Sequence, residues 1–161
     1  MTIYTLLATP LGTLTLESDG SHLTGIQFPR RDGKPHVERG WRLDDSSPVL
    51  AQARTQLAEY FEGRRTRFDL PLRPQGTAFQ QSVWRALLKV PFGRTSTYGA
   101  LAAAIGRPTA ARAVGAAVGA NPLAVVVPCH RIIGADGTLT GYAGGLARKV
   151  RLLALERALA A

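Results

Sequence analysis

The chain has 161 residues, a net charge of +9 and a single cysteine. This length suits one compact unit or two small subdomains around a hydrophobic core. One cysteine excludes an internal disulfide and a cysteine-rich zinc site. No apolar run reaches the length of a membrane span, and no charged-then-apolar signal segment opens the chain. We therefore expect a protein of the reducing cytoplasm.

The positive charge is concentrated in the second half. Residues 1–75 carry ten Arg or Lys and nine Asp or Glu, whereas residues 76–161 carry ten Arg or Lys against only Asp136 and Glu156. A large field of one sign indicates a polyanionic partner, most simply nucleic acid. A general bias toward arginine is the alternative, but it does not explain why acidic residues are so few in one half.

Strands are predicted near the start of the chain. Residues 2–28 are expected to form antiparallel strands, since residues 13–17 alternate with period two and Asp19 and Gly20 make a turn pair. Residues 30–47 are rich in Arg, Asp, Gly and Pro without periodicity, which predicts an exposed loop. His22 and His36 lie in turn-like surroundings, where solvated surface histidines are expected.

A helix is predicted to follow this loop. Ser47 caps it, Pro48 suits its first turn and Gly63 ends it. Its apolar face comprises Leu50, Ala53, Leu57 and Phe61. A short strand is expected at residues 68–70. We place a domain boundary after residue 75, with an N-terminal α/β domain over 1–75 and a C-terminal domain over 76–161.

The second half is predicted to be mostly helical. Thr77 and Gln80 match a capping box, and the helix that they open should end near Pro91. Its apolar face comprises Phe79, Val83, Ala86, Leu87 and Val90. Thr97 caps a short helix that Gly106 ends, and Pro108 is expected to open another through about Val118. Two short helices joined by a glycine turn predict a helix-turn-helix.

The second helix of this pair is made almost entirely of small residues. The small residues are Ala110, Ala111, Ala113, Gly115, Ala116, Ala117 and Gly119. A helix that reads bases in the major groove needs long polar side chains, and this one offers only Arg112. Small residues instead permit close approach of the backbone to a surface such as a widened minor groove. Tight helix–helix packing also favours Ala and Gly, and it stays open as an alternative.

The cysteine lies in an apolar segment. Residues 125–133 contain a β-branched run that predicts a buried strand, and Pro128 should end or kink it where Cys129 appears. A lone cysteine is commonly an inert core residue. Against that reading, His130 and Arg131 follow directly, and a buried charge must be paired. Polar groups beside a thiol at a strand end indicate a site.

Several short motifs, taken together, resemble one known family. They are Pro128-Cys129-His130-Arg131, Arg112-Ala113-Val114-Gly115, Asn121-Pro122, Gly141-Tyr142-Ala143-Gly144-Gly145 and Glu156. In order and spacing they are similar to the O6-alkylguanine-DNA alkyltransferases, also called methylated-DNA–protein-cysteine methyltransferases. The resemblance is close over residues 77–158 and loose over the first half.

This resemblance implies a fold and an activity. The fold is α/β: a small N-terminal antiparallel sheet plus helix, ribonuclease H-like, followed by a winged-helix-like C-terminal domain. The activity is DNA repair by direct damage reversal, in which the protein flips O6-alkylguanine out of double-stranded DNA. O4-alkylthymine stays open as a second substrate. The alkyl group passes once and irreversibly to Cys129. Family members bind through the minor groove, and we expect a monomer, with cooperative assembly on DNA left open.

The resemblance also assigns roles to the residues of the reaction. Cys129 accepts the alkyl group and is relieved of its proton by His130 through a water molecule. Glu156 orients the imidazole, and Asn121 braces the turn before the cysteine. No cofactor and no metal are expected; some family members carry zinc in the first half, and no such cluster can be formed here.

Further residues match positions that contact DNA or the flipped base. Tyr98 helps to rotate the nucleotide outward, and Arg112 enters the base stack in its place, where a guanidinium can stack and donate hydrogen bonds at once. The other matching positions are Ala113, Gly115, Ile132, Tyr142, Ala143 and Gly144. Many members have serine where this chain has Ala143, so a hydroxyl contact is lost there. Without the resemblance, a surface salt bridge for Arg112 and a buried aromatic for Tyr98 would be expected.

Two expectations rest on the residues themselves. Successive strand residues point to opposite faces, so a direct Cys129–His130 contact is doubtful and a bridging water is the easier geometry. Glu156 shares the apolar face of the last helix with Leu152, Leu153 and Leu159, so its carboxylate needs a buried partner. His130 is one candidate. A structural pair with Arg131 or Arg148 is the other.

Other functions are compatible with parts of the pattern. An alkyltransferase-like binding protein would keep lesion recognition but lack the acceptor thiol, which Cys129 argues against. A helix-turn-helix regulator would need base-reading side chains. A cysteine hydrolase would need an oxyanion hole and turnover.

Overall fold

The computed structural model describes residues 1–157 and consists of two compact units. The first comprises Met1–Gln75 together with Pro122–Ala124. The second comprises Gly76–Asn121 and the described residues from Val125 onward. The three-residue segment joins the first unit through β pairing: the Ile26 amide donates to the Pro122 carbonyl at 2.9 Å, beside an isolated bridge between Ile26 and Leu123.

The first unit is a four-stranded sheet with one helix on it. The strands are β1 (Ile3–Thr9), β2 (Gly12–Ser18), β3 (Leu23–Gln27) and β4 (Arg42–Leu43), in the spatial order β3-β2-β1-β4. The first three form an antiparallel meander as predicted, and β4 adds a short parallel edge to β1. The expectation of a wholly irregular loop over residues 30–47 was therefore wrong at β4, whose short pairing leaves no periodic signal.

The helix of the first unit begins where its capping residue predicts. Helix α1 (Pro48–Phe61) has Ser47 as its N-cap, and the Ser47 hydroxyl accepts from the Leu50 amide. The helix buries Leu50, Ala53 and Leu57 as predicted, but Tyr60 rather than Phe61 completes the buried face. The strand expected at residues 68–70 is absent from the described chain. An isolated bridge between Leu23 and Leu72 stands near it instead.

The second unit is mostly helical. Its helices are α2 (Ala78–Leu87), α3 (Tyr98–Ala104), α4 (Ala111–Gly119) and α5 (Leu146–Leu155), with a two-stranded parallel sheet of β5 (Ser96–Thr97) and β6 (Ile132–Ile133). The capping box of Thr77 and Gln80 and the cap at Thr97 are both confirmed. Helix α4 begins at Ala111, not at Pro108, which lies in the preceding turn.

Helices α2, α3 and α4 pack on one another and form the core of this unit. Helix α4 turns Val114, Ala117 and Val118 inward, and the indole N–H of Trp84 donates to the Ala117 carbonyl at 2.8 Å. The small residues of α4 thus serve packing on its inner face only. Arg112, Ala113 and Ala116 are exposed on the opposite side.

The strand predicted before the cysteine was wrong. Residues 125–127 are buried as the apolar run predicts, but they form turns, and Val125 has a φ of 71°. Cys129–Arg131 forms a short 3-10 helix, and β6 begins only after it. A run of β-branched residues indicates that a segment is buried, but it does not show whether that segment is a strand or a turn. Among residues 1–157, no helix is long and apolar enough to cross a membrane.

Candidate active site

The 3-10 helix places Cys129, His130 and Arg131 inside the second unit. The turn closes through the Cys129 amide, which donates to the Val127 carbonyl at 2.8 Å, and the Arg131 amide, which donates to the Pro128 carbonyl at 3.0 Å. All three side chains are buried. Because the backbone is helical here, the strand argument for opposite-facing Cys129 and His130 side chains does not apply.

The Cys129 thiol is held by the turn that follows α4. The Asn121 amide nitrogen donates to the Val127 carbonyl at 2.9 Å and to Cys129 Sγ at 3.1 Å. Asn121 therefore fixes the backbone before the cysteine and contacts the sulfur itself. The sequence suggested a contact between Asn121 and this turn, but it did not reveal the direct contact to the sulfur.

Burial dominates the acidity of the thiol. It raises the pKa of Cys129 above the ordinary value, and hydrogen bonds from Asn121 and Tyr142 and the positive charge of Lys149 oppose the rise. The resting sulfur is consequently a protonated thiol. A base must take its proton when a substrate arrives, because the thiolate is the reactive form.

His130, the next residue in the chain, is the candidate for that base. Its Nε2 lies 2.8 Å from Glu156 Oε2, and both side chains are fully buried. Burial lowers the pKa of His130, and the adjacent Glu156 carboxylate opposes this. A neutral imidazole that donates from Nε2 to a carboxylate leaves Nδ1 as its acceptor. That Nδ1 atom is buried and has no hydrogen-bond partner within residues 1–157.

Glu156 meets both partners that the sequence offered. Besides His130, it accepts two hydrogen bonds from Arg131, at 2.8 Å from Nε and 2.9 Å from Nη2. Glu156 is the C-cap of α5, so the carboxylate at the end of this helix lies against the 3-10 helix. The His130 and Arg131 alternatives are therefore both realised. Leu159, expected on the same face, lies outside the described residues.

A buried lysine completes the site, and sequence reasoning missed it. Lys149 on α5 donates to the Ile132 carbonyl at 2.5 Å and to the Thr140 carbonyl at 3.2 Å. The Thr140 hydroxyl is 2.9 Å from the Tyr98 hydroxyl. Lys149 therefore ties the segment after β6 to the backbone next to the cysteine. The sequence did carry one signal of this burial: Leu152 and Leu153 follow Lys149 by three and four residues, so all three lie on the same face of α5.

The remaining predicted residues are distributed over several surfaces. Arg112 and Ala113 are exposed on α4. Gly115 lies beside the Tyr98 ring: a Cβ atom added to Gly115 would be 3.7 Å from Tyr98 Cδ1. The Tyr142 hydroxyl lowers the pKa of the Cys129 thiol. The Ile132 side chain is fully buried and only its carbonyl takes part. The last two predicted positions, Ala143 and Gly144, lie in the turn before α5, exposed and half-buried respectively.

Comparison with known proteins gives a consistent result over the whole chain. Residues 2–74 match the family described as 6-O-methylguanine DNA methyltransferase, ribonuclease-like domain, and residues 78–158 match its DNA binding domain. A methylated-DNA–protein-cysteine methyltransferase of Haemophilus influenzae is 46% identical over 155 residues, which cover 96% of this chain and 86% of that protein. One from Mycobacterium bovis is 48% identical over 154 residues, covering 96% and 92%.

Solved structures agree with the sequence matches. The crystal structure of Mycobacterium tuberculosis O6-methylguanine methyltransferase has a TM-score of 0.88 and 46% identity, and the match covers 100% of this chain and 96% of that one. A crystal structure of Mycobacterium tuberculosis OGT in complex with DNA also has a TM-score of 0.88, at 47% identity, with 96% and 92% covered.

Proposed function

Since this chain belongs to the methylated-DNA–protein-cysteine methyltransferase family, we propose that it repairs DNA by moving the alkyl group of O6-alkylguanine onto Cys129. The observation that carries the proposal is the environment of its single cysteine. The buried sulfur accepts a hydrogen bond from Asn121 at 3.1 Å and lies next in the chain to a histidine held by a carboxylate. An inert core cysteine needs neither partner.

The reaction is a displacement at the alkyl carbon. The sulfur forms a bond to that carbon while the bond from the carbon to O6 breaks, and O6 leaves with the electron pair. The thiol proton passes to His130 Nδ1 and then through water to the departing guanine anion, so guanine leaves neutral and His130 returns to its neutral form. A thioether is a poor leaving group, and the chain has no second thiol to resolve it. Each molecule therefore acts once.

Duplex DNA is the partner that fits the second unit. The exposed face of α4 carries Ala113, Ala116 and the long side chain of Arg112, so the helix can approach a groove closely without reading base edges. This supports docking in the minor groove with little sequence preference. We assign Arg112 to the gap in the base stack and Tyr98 to rotation of the nucleotide, because the target carbon is out of reach in a stacked pair.

The cellular setting follows from the chemistry. A reaction that consumes one free thiol needs that thiol to stay reduced, which favours the cytoplasm. We propose a monomer in solution, because one molecule carries the acceptor, the base and the DNA-facing helix.

The test separates binding from chemistry. Cys129→Ser should bind duplex DNA containing O6-methylguanine with nearly the affinity of the parent protein and accept no methyl group. Affinity should fall steeply with salt, and its slope in a log–log plot should decrease by about 0.9 for each phosphate contact removed. Methyl transfer by Cys129→Ser would overturn the assignment of the acceptor. Loss of binding in a folded variant would place the thiol in recognition instead.

A further inference from the structure

Arg131 is a buried charge to which the reaction described above gives no role. Only 8% of its side chain is exposed. Its Nε and Nη2 donate to the two oxygens of Glu156 at 2.8 and 2.9 Å, and its Nη1 donates to the Val90 carbonyl at 2.7 Å. The guanidinium also lies 5.9 Å from the centre of the Phe92 ring. These contacts with Glu156, Val90 and Phe92 hold the guanidinium in one position.

Arg131 and His130 share one carboxylate oxygen. Glu156 Oε2 lies 2.8 Å from His130 Nε2 and 2.9 Å from Arg131 Nη2. The protonation of the imidazole therefore depends on how far the positive guanidinium neutralises the negative charge of Glu156.

We propose that Arg131 is a positioning residue for the proton acceptor, which keeps Glu156 ionised and His130 neutral with Nδ1 free. This inference rests on the proposed function, because it concerns how His130 comes to accept the thiol proton. The hydrogen bonds of Arg131 go to Glu156 and to the Val90 carbonyl, so it acts on the reaction through Glu156.

Two unproductive states explain why the guanidinium is needed. If Glu156 were protonated, it could donate to Nε2, and the hydrogen of the neutral imidazole would then sit on Nδ1. If Glu156 were a carboxylate without Arg131, its full charge would favour the imidazolium, which has no acceptor at all. In both states the His130–Glu156 pair holds one proton too many, and Nδ1 cannot take the thiol proton.

A bidentate arginine excludes both states. Two charge-assisted hydrogen bonds favour the carboxylate, and the positive charge beside it weakens its pull on the imidazole. The other groups facing this pair are Cys129, neutral at rest, and Lys149, whose charge also disfavours an imidazolium. Burial and the Arg131 charge both lower the pKa of His130, against the opposing effect of Glu156.

The sign of the expected pH effect follows from charge. Removing a buried positive charge favours the protonated form of the pair, so the pH at which it loses its extra proton rises. The acid limb of the transfer rate should therefore move to higher pH by about one unit or more in Arg131→Met. At neutral pH transfer should fall about tenfold or more, and it should recover at alkaline pH. Arg131→Lys keeps the charge and should restore most of the parent profile.

The experiment uses the whole protein and two readouts. Transfer is measured from the free O6-benzylguanine base across pH, which removes DNA binding from the result. Arg85→Met, which removes an exposed positive charge from α2, is the matched control and should leave the profile unchanged. The second readout is the ring-nitrogen NMR shift of His130, which is resolvable because the chain has three histidines.

The NMR readout does not depend on alkyl transfer. In the parent protein at neutral pH, His130 should be neutral, with its proton on Nε2 and Nδ1 unprotonated. A protonated Nδ1 in the parent would overturn the proposal even if Arg131→Met did not fold, and would leave the alkyl transfer activity itself intact. An unshifted acid limb in a folded Arg131→Met would also overturn it. Absence of transfer in the parent at any pH would instead refute the proposed function.

Discussion

Glu17 in the first unit and Glu156 in the second are both buried carboxyl side chains, but their surroundings differ. Glu156 is met by His130 and Arg131 within 2.9 Å. Glu17 lies on β2 opposite Gly25, where a Cβ would come within 2.6 Å of Glu17 Oε1, and its Oε2 has no hydrogen-bond partner within residues 1–157. One unit buries a carboxylate with its counter-charges, and the other buries a carboxyl group without one.

The pKa of Glu17 expresses its lack of a counter-charge. That pKa is raised from 4.5 to about 7, mainly by burial; a hydrogen bond with Gln27 opposes the rise and the charge of Glu38 adds to it. Glu156 instead accepts two hydrogen bonds from the Arg131 guanidinium. A buried carboxyl group stays ionised only where the fold also places compensating charges or hydrogen-bond donors against it. The surplus of basic residues in the second half therefore includes two that lie in the interior, Arg131 and Lys149.

The largest expected effect is on Glu156. Glu156→Gln leaves the Arg131 guanidinium buried without its counter-charge, so the free energy of unfolding should fall by about 3–5 kcal/mol. Denaturant unfolding at neutral pH measures this. Glu62→Gln, which removes one partner of an exposed pair with Arg64, is the control and should change stability by about 0–1 kcal/mol. Equal effects of the two substitutions would mean that Glu156 is not paired in the way that the structure shows.

The matched substitution in the first unit should have the opposite sign. The folded protein keeps Glu17 protonated between pH 4.5 and about 7, whereas the unfolded chain ionises at about 4.5. The folded state therefore binds more protons in this window, and the contribution of Glu17 to stability falls as pH rises through it. Glu17→Gln should be more stable than the parent protein above pH 7, by about 1–3 kcal/mol.

The pH dependence of this gain is its test. The difference in unfolding free energy between Glu17→Gln and the parent should shrink toward zero near pH 4.5, where both side chains are neutral. A difference that does not change between pH 4.5 and 8 would show that Glu17 is not protonated in the folded state, and the contrast with Glu156 would then be lost.

A smaller effect is expected at Lys149. Lys149→Met removes a positive charge that lowers the pKa of Cys129, so that pKa should rise further and alkylation of the thiol by iodoacetamide should slow a few-fold at neutral pH. The single cysteine makes the reaction specific. Lys89→Met removes an exposed charge from the same unit and should react like the parent protein. Faster alkylation in Lys149→Met would mean that the lysine shields the thiol from reagents.

Local signals predicted the starts of α1, α2 and α3, and this has a physical reason. A cap is a contact between residues three apart, so Ser47, Thr77 and Thr97 mark helix starts without reference to the rest of the chain. The prediction of a strand at residues 125–127 was wrong because these β-branched residues are buried in turns of the second unit and do not pair with a strand. The turn at Val125 depends on a positive φ that no sequence pattern announces for valine.

The sequence predicted which residues form the site better than it predicted which of them contact one another. The pattern singled out Cys129, His130 and Glu156, but it treated His130 and Arg131 as competing partners of Glu156. Both bind because the 3-10 helix turns two successive side chains toward one helix end, which a strand cannot do. Lys149 was passed over because a lysine on an apolar face is normally a solvated neighbour, and only the tertiary fold shows that it is buried.

The central claim is that Cys129 is the alkyl acceptor, and one measurement tests it most directly. The parent protein is incubated with excess duplex DNA containing O6-methylguanine and is then weighed intact by mass spectrometry. We expect each chain to gain one methyl group and no more, and a peptide digest to place it on the segment that contains Cys129. An unchanged protein mass with unrepaired DNA would indicate a binding module, and continued repair by unmodified protein would indicate a turnover enzyme. Either result would contradict the account.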